Sequence, residues 1–150
     1  MLGYGNPGRL DDGLGPAFSE RIRTLAISGV TADADYQLCV EDAAAIARHD
    51  LVVFADASSD GPAPFELRPL KARHLGLGFS SHSLPADALL GLSEELFGVS
   101  PHAFLLAIRG YDYNAFGEGL SEQAKTNLDA AVTYLEPLLR NRFAAFIPRK

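Results

Sequence analysis

Leu2-Gly3-Tyr4-Gly5-Asn6-Pro7-Gly8-Arg9-Leu10-Asp11-Asp12-Gly13-Leu14-Gly15, close to the amino end, sets the architecture expected of the rest of the chain. An apolar start runs into a glycine-dense turn, two adjacent carboxylates and a glycine pair. Pro16 follows and suits the first turn of a helix, where its missing N–H has no partner to lose. The order is therefore strand, loop, helix, with acidic side chains at the carboxyl end of the strand. Ligands bind at that end in open α/β sheets. The strand, Met1 to Tyr4, is short beside the ~5–6 residues usual for strands, so it is expected either to be clipped or to begin upstream. Gly5 and Gly8 are expected to supply backbone with positive φ in the turn.

Beyond Pro16, Phe18, Ile22, Leu25 and Ala26 recur at helical spacing, and Ser28-Gly29 is expected to end that helix. Asp35 to Val40 alternates loosely and reads as a second strand. Glu41 to His49 is alanine-rich, with acids first and Arg48 and His49 last, an order that suits a helix dipole. Leu51-Val52-Val53-Phe54-Ala55-Asp56-Ala57 is a continuous apolar run, expected to be a strand buried on both faces. Phe65 to Leu70 reads as an edge strand, and His74 to Ser83 as a glycine- and serine-rich loop carrying His82. Pro85 opens a helix with Ala88, Leu89, Leu92, Leu96 and Phe97 on one face, stopped by Gly98. Ala103 to Ile108 is another buried strand, and Arg109 to Gly119 a loop. Ser121 caps a last helix on which Ala124, Leu128, Ala131, Val132, Leu135, Leu138 and Leu139 keep helical spacing; Pro137 should kink it or shift its last turn. Strands alternate with helices, so residues 1–150 are expected to form one domain, a doubly wound α/β/α sandwich with a mostly parallel sheet.

The 150 residues carry a net charge of −6 and are 47% hydrophobic. Such an acidic chain is a poor partner for nucleic acid phosphates or anionic lipid. One cysteine, Cys39, rules out an internal disulfide and fits a reducing compartment; it is expected to pack as a small apolar residue. No apolar run approaches the ~20 residues needed to span a bilayer, and the start lacks a signal-peptide pattern. The expectation is a cytoplasmic protein with no membrane or nucleic acid partner.

Gly3-x-Gly5-x-x-Gly8 matches the dinucleotide fingerprint, but Pro7 interrupts it and the helix starts too late to cradle a pyrophosphate. Asp11 and Asp12 would also face the phosphates, and each charge pair at ~4 Å costs about 1 kcal/mol even in a water-like dielectric. No Gly-x-Ser-x-Gly elbow is present. The informative positions are Asp12 and Asp56, both at the carboxyl ends of strands, where a parallel sheet directs them into one crevice. His82 precedes the next helix, in a loop able to close over the same edge. Two carboxylates and an imidazole form a three-donor set for a divalent transition metal with positions left open. Each also has a plain structural role open to it: Asp12 as a helix cap, Asp56 in an Asx turn, His82 as a solvated loop residue. Tyr111 and Glu118 are further candidates for the groove wall.

The opening Gly3-Tyr4-Gly5-Asn6-Pro7-Gly8-Arg9-Leu10-Asp11-Asp12-Gly13-Leu14-Gly15 resembles the signature of the hydrogenase maturation proteases. Asp56 in Phe54-Ala55-Asp56-Ala57, His82 in Ser81-His82-Ser83, and Phe116-Gly117-Glu118-Gly119-Leu120-Ser121 continue the resemblance in order along the chain. The resemblance implies an aspartyl-type endopeptidase that removes a C-terminal extension from the large-subunit precursor of a [NiFe] hydrogenase after nickel insertion. It implies that Asp12, Asp56 and His82 contact the nickel carried by the substrate and are the catalytic residues. Nickel accepts imidazole and carboxylate donors, and an incomplete protein donor set would bind only a metal whose other ligands the substrate supplies. Peptidyl-tRNA hydrolases open with a similar Gly-x-Gly-Asn-Pro-Gly, but there the loop runs on to a His-Asn pair where this chain has Asp11-Asp12, and the acidic charge opposes a tRNA substrate. A non-catalytic sensor of nickel loading would keep the same donors and cut nothing.

Overall fold

The computed structural model describes residues 1–75 and 84–147. In chain order its elements are β1 (Leu2–Tyr4), α1 (Leu14–Thr24), β2 (Asp33–Asp35), α2 (Asp42–Ile46), β3 (Leu51–Ser58), β4 (Phe65–Leu70), α3 (Ala86–Phe97), β5 (His102–Arg109) and α4 (Glu122–Arg140). A 3₁₀ turn, Leu10–Gly13, leads into α1. The five strands lie in the order β2-β1-β3-β5-β4. All neighbours are parallel except the edge pair β4 and β5. The expected doubly wound, mostly parallel sheet is present.

Alternation along β3 and β5 divides the core between the two faces. Val53, Ala55, Phe104, Leu106 and Ile108 pack with Leu14, Phe18 and Ile22 of α1 and Leu128, Ala131, Leu135 and Leu139 of α4. Val52, Phe54 and Ala103 face the other way, onto Ala43 and Ile46 of α2 and Leu89 and Leu90 of α3. Both runs read as continuously apolar because both faces are covered. Each fully buried Leu, Ile or Phe contributes about 1.5–3 kcal/mol.

Strand order reverses at β1. The chain leaves β1 for β2 on one side, then returns to β3 on the other, so the switch-point crevice lies between the carboxyl ends of β1 and β3. The register pairs Leu2 with Phe54 and Gly3 with Ala55, which brings Tyr4 level with Asp56. The start of α1 presses onto this point, and a Cβ at Gly15 would run into the carbonyl oxygens of Ala55 and Tyr4.

Several elements depart from expectation. The second strand is Asp33–Asp35, not Asp35 to Val40: its length is limited by three-residue β1, with which it pairs. The residues that follow turn instead, with the Tyr36 N–H on Asp35 Oδ1 (2.7 Å) and the Cys39 N–H on Asp42 Oδ2 (2.9 Å). The helix expected to reach His49 ends at Ile46. α1 ends at Thr24, and Ala26, not Gly29, is the first residue beyond it with positive φ (48°). Gly5 has the expected positive φ (141°), whereas Gly8 is not among the positive-φ positions. α4 continues through Pro137 to Arg140. Pro137 lies on the exposed side together with Thr133, whose freed carbonyl can therefore be met by water. Leu96 and Phe97, expected on the buried face of α3, are 57% and 49% exposed in its last turn. Cys39 is half-buried rather than simply apolar: its thiol lies 3.4 Å from Asp42 Oδ2, and hydrogen bonding with Glu41, burial and Asp42 push its pKa up to about 11. Among the described residues, no helix is long and apolar enough to cross a membrane.

Candidate active site

Asp11 and Asp12 are neighbours in sequence and opposites in environment. Asp11 is fully buried. Its Oδ2 accepts the N–H groups of Tyr111 (2.8 Å) and Asp112 (2.9 Å) and the Ser121 hydroxyl (2.7 Å), and its Oδ1 accepts the Ser121 N–H (2.8 Å). Burial alone would raise its pKa, but these donors together hold it below the ordinary carboxylate value. Ser121 meanwhile caps α4, as expected, by accepting the Ala124 N–H (3.2 Å). Asp11 thus ties the opening turn to the 110–121 loop. Backbone bonds from Leu10 to Gly117 (3.0 Å), Asp11 to Asp112 (2.9 Å) and Gly117 to Gly8 (2.8 Å) complete the clasp, and the Arg9 guanidinium lies 5.7 Å over the Phe116 ring.

With the turn so held, Asp12 stands half-buried at its far side. One of its oxygens, Oδ2, accepts the Asn6 N–H (2.8 Å). Gly5 is required here, since a Cβ on it would strike the Asp12 carbonyl. Asp56, in the last turnings of β3, accepts the Ala57 N–H on Oδ1 (2.8 Å) and the Tyr4 hydroxyl. Its pKa is raised from 3.8 to about 6, first by burial and then by the Asp12 charge, with the hydrogen bonds from Ala57 and Tyr4 opposing. The same proximity raises the Tyr4 phenol well above its usual value, through burial, the Asp56 charge and the shared hydrogen bond. Tyr113 belongs to this electrostatic unit: burial, then the charges of Asp11, Asp12 and Asp56, push its pKa up to about 12, and its hydroxyl is buried with no hydrogen-bond partner among the described residues. Gly110 makes room for it, since a Cβ there would lie 2.5 Å from that hydroxyl.

The structure therefore brings Asp12 and Asp56 to one crevice. His82 lies outside the described residues, and among the described residues no three His, Cys, Asp or Glu side chains come together as a metal site. Among the described residues the crevice therefore offers the two carboxylates of Asp12 and Asp56. The Tyr111 ring lies under the Arg109 guanidinium (5.0 Å) and its hydroxyl accepts from Asn127 (3.1 Å). Glu118 is exposed. The sequence reading missed the structural part played by Asp11. The sequence singles out Asp12 and gives Asp11 no role of its own, because the donors that define it lie about a hundred residues away.

No protein-family model matches the sequence, and no curated protein matches it. Solved structures do. The chain is similar to the [NiFe] hydrogenase maturation protease HycI from Thermococcus kodakarensis KOD1, at 27% identity, with 93% of this chain and 90% of that one covered and a TM-score of 0.62. This is the fold of the hydrogenase maturation proteases. The hydrogenase 2 maturation peptidase from Thaumarchaeota archaeon SCGC_AB-539-E09 is similar in the same way, at 22% identity over 93% of this chain and 96% of that one, TM-score 0.67. The hydrogenase maturating endopeptidase HybD from E. coli shares the fold at 18% identity, 94% and 91% coverage and TM-score 0.68. The resemblance seen in the opening stretch thus extends to the maturation protease fold as a whole, and the likeness supports a peptidase.

Proposed function

We propose that the chain is an endopeptidase that removes the C-terminal extension of a [NiFe] hydrogenase large-subunit precursor once nickel has been inserted, with the substrate's nickel as the recognition element. The observation that carries this reading is the meeting of Asp12 and Asp56 at the switch-point crevice of a maturation protease fold, with Asp56 shifted to about 6. A carboxylate of that pKa is ionised at neutral pH, yet poorly enough solvated to gain from a cation. In this reading Asp12, Asp56 and His82 contact the nickel, which the precursor holds through its own ligands. The precursor is thereby anchored with its scissile bond beside the crevice. Asp56 can also take a proton from water as hydroxide adds to the scissile carbonyl, and return it to the departing amine. A precursor without nickel lacks the bridging ion and is not held. The compartment in this reading is the cytoplasm.

The test is mass spectrometry of a [NiFe] hydrogenase large-subunit precursor, prepared with and without nickel and incubated with the protein. Loss of the C-terminal peptide from the nickel-loaded form alone is expected, and Asp12→Ala, Asp56→Ala or His82→Ala should abolish it. Equal cleavage of both forms would refute nickel recognition. Binding without any mass change would refute the peptidase and leave a sensor.

A further inference from the structure

On the α2/α3 face of the sheet, side chains of β3, β5 and β4 line up in rows. Phe54, Leu105 and Arg68 form one row, and Asp56, Ala107 and Glu66 the next. The helices bury Val52, Phe54 and Ala103, and among the described residues they leave Asp56 and Ala107 half-buried and Arg68 and Glu66 exposed. The result is a groove of about 530 Å³ whose walls include Tyr4, Asp56, Arg68, Leu70, Pro85 and Leu105. It leads from the carboxylate of the candidate site out to the edge strand.

The groove carries both signs of charge. Of the two guanidinium groups on the groove wall, Arg73 is paired with Asp87 (3.0 Å), whereas Arg68 forms no ion pair among the described residues. The Arg68 charge nonetheless reaches the site, where it opposes the rise of the Tyr4 phenol that burial and Asp56 produce. In a chain of net charge −6, a guanidinium with no carboxylate partner among the described residues, facing a partly apolar groove, is complementary to an anionic ligand group, and its planar fork matches a carboxylate.

We propose that this groove seats the precursor segment next to the scissile bond and that Arg68 holds a carboxylate of that segment. The inference rests on the endopeptidase reading above. Two strand spacings and a two-residue offset put the Cα atoms of Asp56 and Arg68 about 12 Å apart, the reach of three or four extended residues. The carboxylate is therefore an acidic side chain that close to the point of contact with Asp56, or the terminal carboxylate of a short extension.

The test is steady-state cleavage of the nickel-loaded precursor by wild type and by Arg68→Ala and Arg68→Lys, with circular dichroism to confirm folding. Arg68→Ala should raise KM about tenfold with kcat nearly unchanged, and Arg68→Lys should recover part of the loss. Two substrate arms locate the carboxylate: Asp→Asn or Glu→Gln at each acid of the extension, and an added neutral Gly-Ser tail that displaces the terminal carboxylate. One of them should cost wild type the same factor and cost Arg68→Ala nothing more. An unchanged KM, or losses that multiply in every combination, overturns the proposal. If wild type cleaves no precursor, the endopeptidase reading fails by itself. Binding of a fluorescein-labelled synthetic extension peptide then decides the groove: weaker binding by Arg68→Ala sustains it, and equal binding overturns it.

Discussion

Replacing Asp56 by Asn should make this protein more stable at pH 8. Burial and the Asp12 charge raise the Asp56 pKa from 3.8 to about 6. Each unit is worth about 1.4 kcal/mol, so ionising this group costs the native state about 3 kcal/mol when both folded and unfolded chains are charged. Asp56 is only partly buried, and screening by solvent leaves about 1–3 kcal/mol to be regained. The sign follows from linkage. Below pH about 3 both states hold the proton and the group contributes nothing. As pH rises from about 3 to about 6 the unfolded carboxyl ionises first, so the native state loses ground; above that the deficit is constant. Asn keeps the geometry, since its Oδ1 can still accept the Ala57 N–H and its Nδ2 can donate to a Tyr4 hydroxyl turned around to accept. Urea denaturation of both proteins at pH 4 and pH 8 measures the effect. A gain at pH 8 that shrinks to about 0.5 kcal/mol or less at pH 4 is expected. A destabilised variant at pH 8, or an equal gain at both pH values, would refute the account of Asp56 as a carboxylate held at a cost.

The neighbours of Asp56 should move its titration in opposite directions. Asp12→Asn should lower the pKa from about 6 by removing the adjacent charge, and Tyr4→Phe should raise it by removing a donor; carbon-13 NMR of the Asp56 carboxyl reads both, and shifts of the same sign would contradict the electrostatic picture. Asp11→Ala should cost about 3–5 kcal/mol, because it leaves a set of buried donors without an acceptor, and hydrogen exchange should rise across residues 110–121; a loss under about 1 kcal/mol would mean that the clasp is held by its backbone bonds alone. Gly15→Ala should cost about 3 kcal/mol or more, since its Cβ meets the backbone of both β1 and β3, and a melting temperature unchanged from wild type would contradict that packing.

The fold was legible wherever its determinants are local. The runs at Leu51 to Ala57 and Ala103 to Ile108 are apolar on both faces because helices cover both, and they appear as β3 and β5. The spacing of Phe18 and Ile22, and of Leu128, Ala131, Leu135 and Leu139, marks the buried faces of α1 and α4 for the same reason. β2 was misplaced because an exposed strand of three residues has no pattern of its own; its position is set by the length of β1. Asp12 and Asp56 were legible from their places at strand ends, since a parallel sheet gathers those ends at one edge. Arg68 was not, because only the antiparallel register of β4 against β5 brings it to the groove. His82 falls outside the described residues.

The two adjacent acids show how one turn separates support from chemistry. Asp11 is a carboxylate with its acceptors filled: buried, charged and met by donors from a loop about a hundred residues on. It has no capacity left for a ligand, and its depressed pKa adds stability that is lost only as the solution becomes strongly acidic. Asp12 has one N–H on one oxygen and lies close enough to Asp56 to raise that group's pKa. The repulsion between Asp12 and Asp56 persists because Asp11 fixes the turn that imposes it. In the proposed reading, a cation brought by the substrate would relieve that repulsion, so the binding energy it gains would be set in part by a residue that does not touch it. Weakening the clasp should therefore lower affinity for such a substrate as well as stability, even with Asp12 and Asp56 both in place.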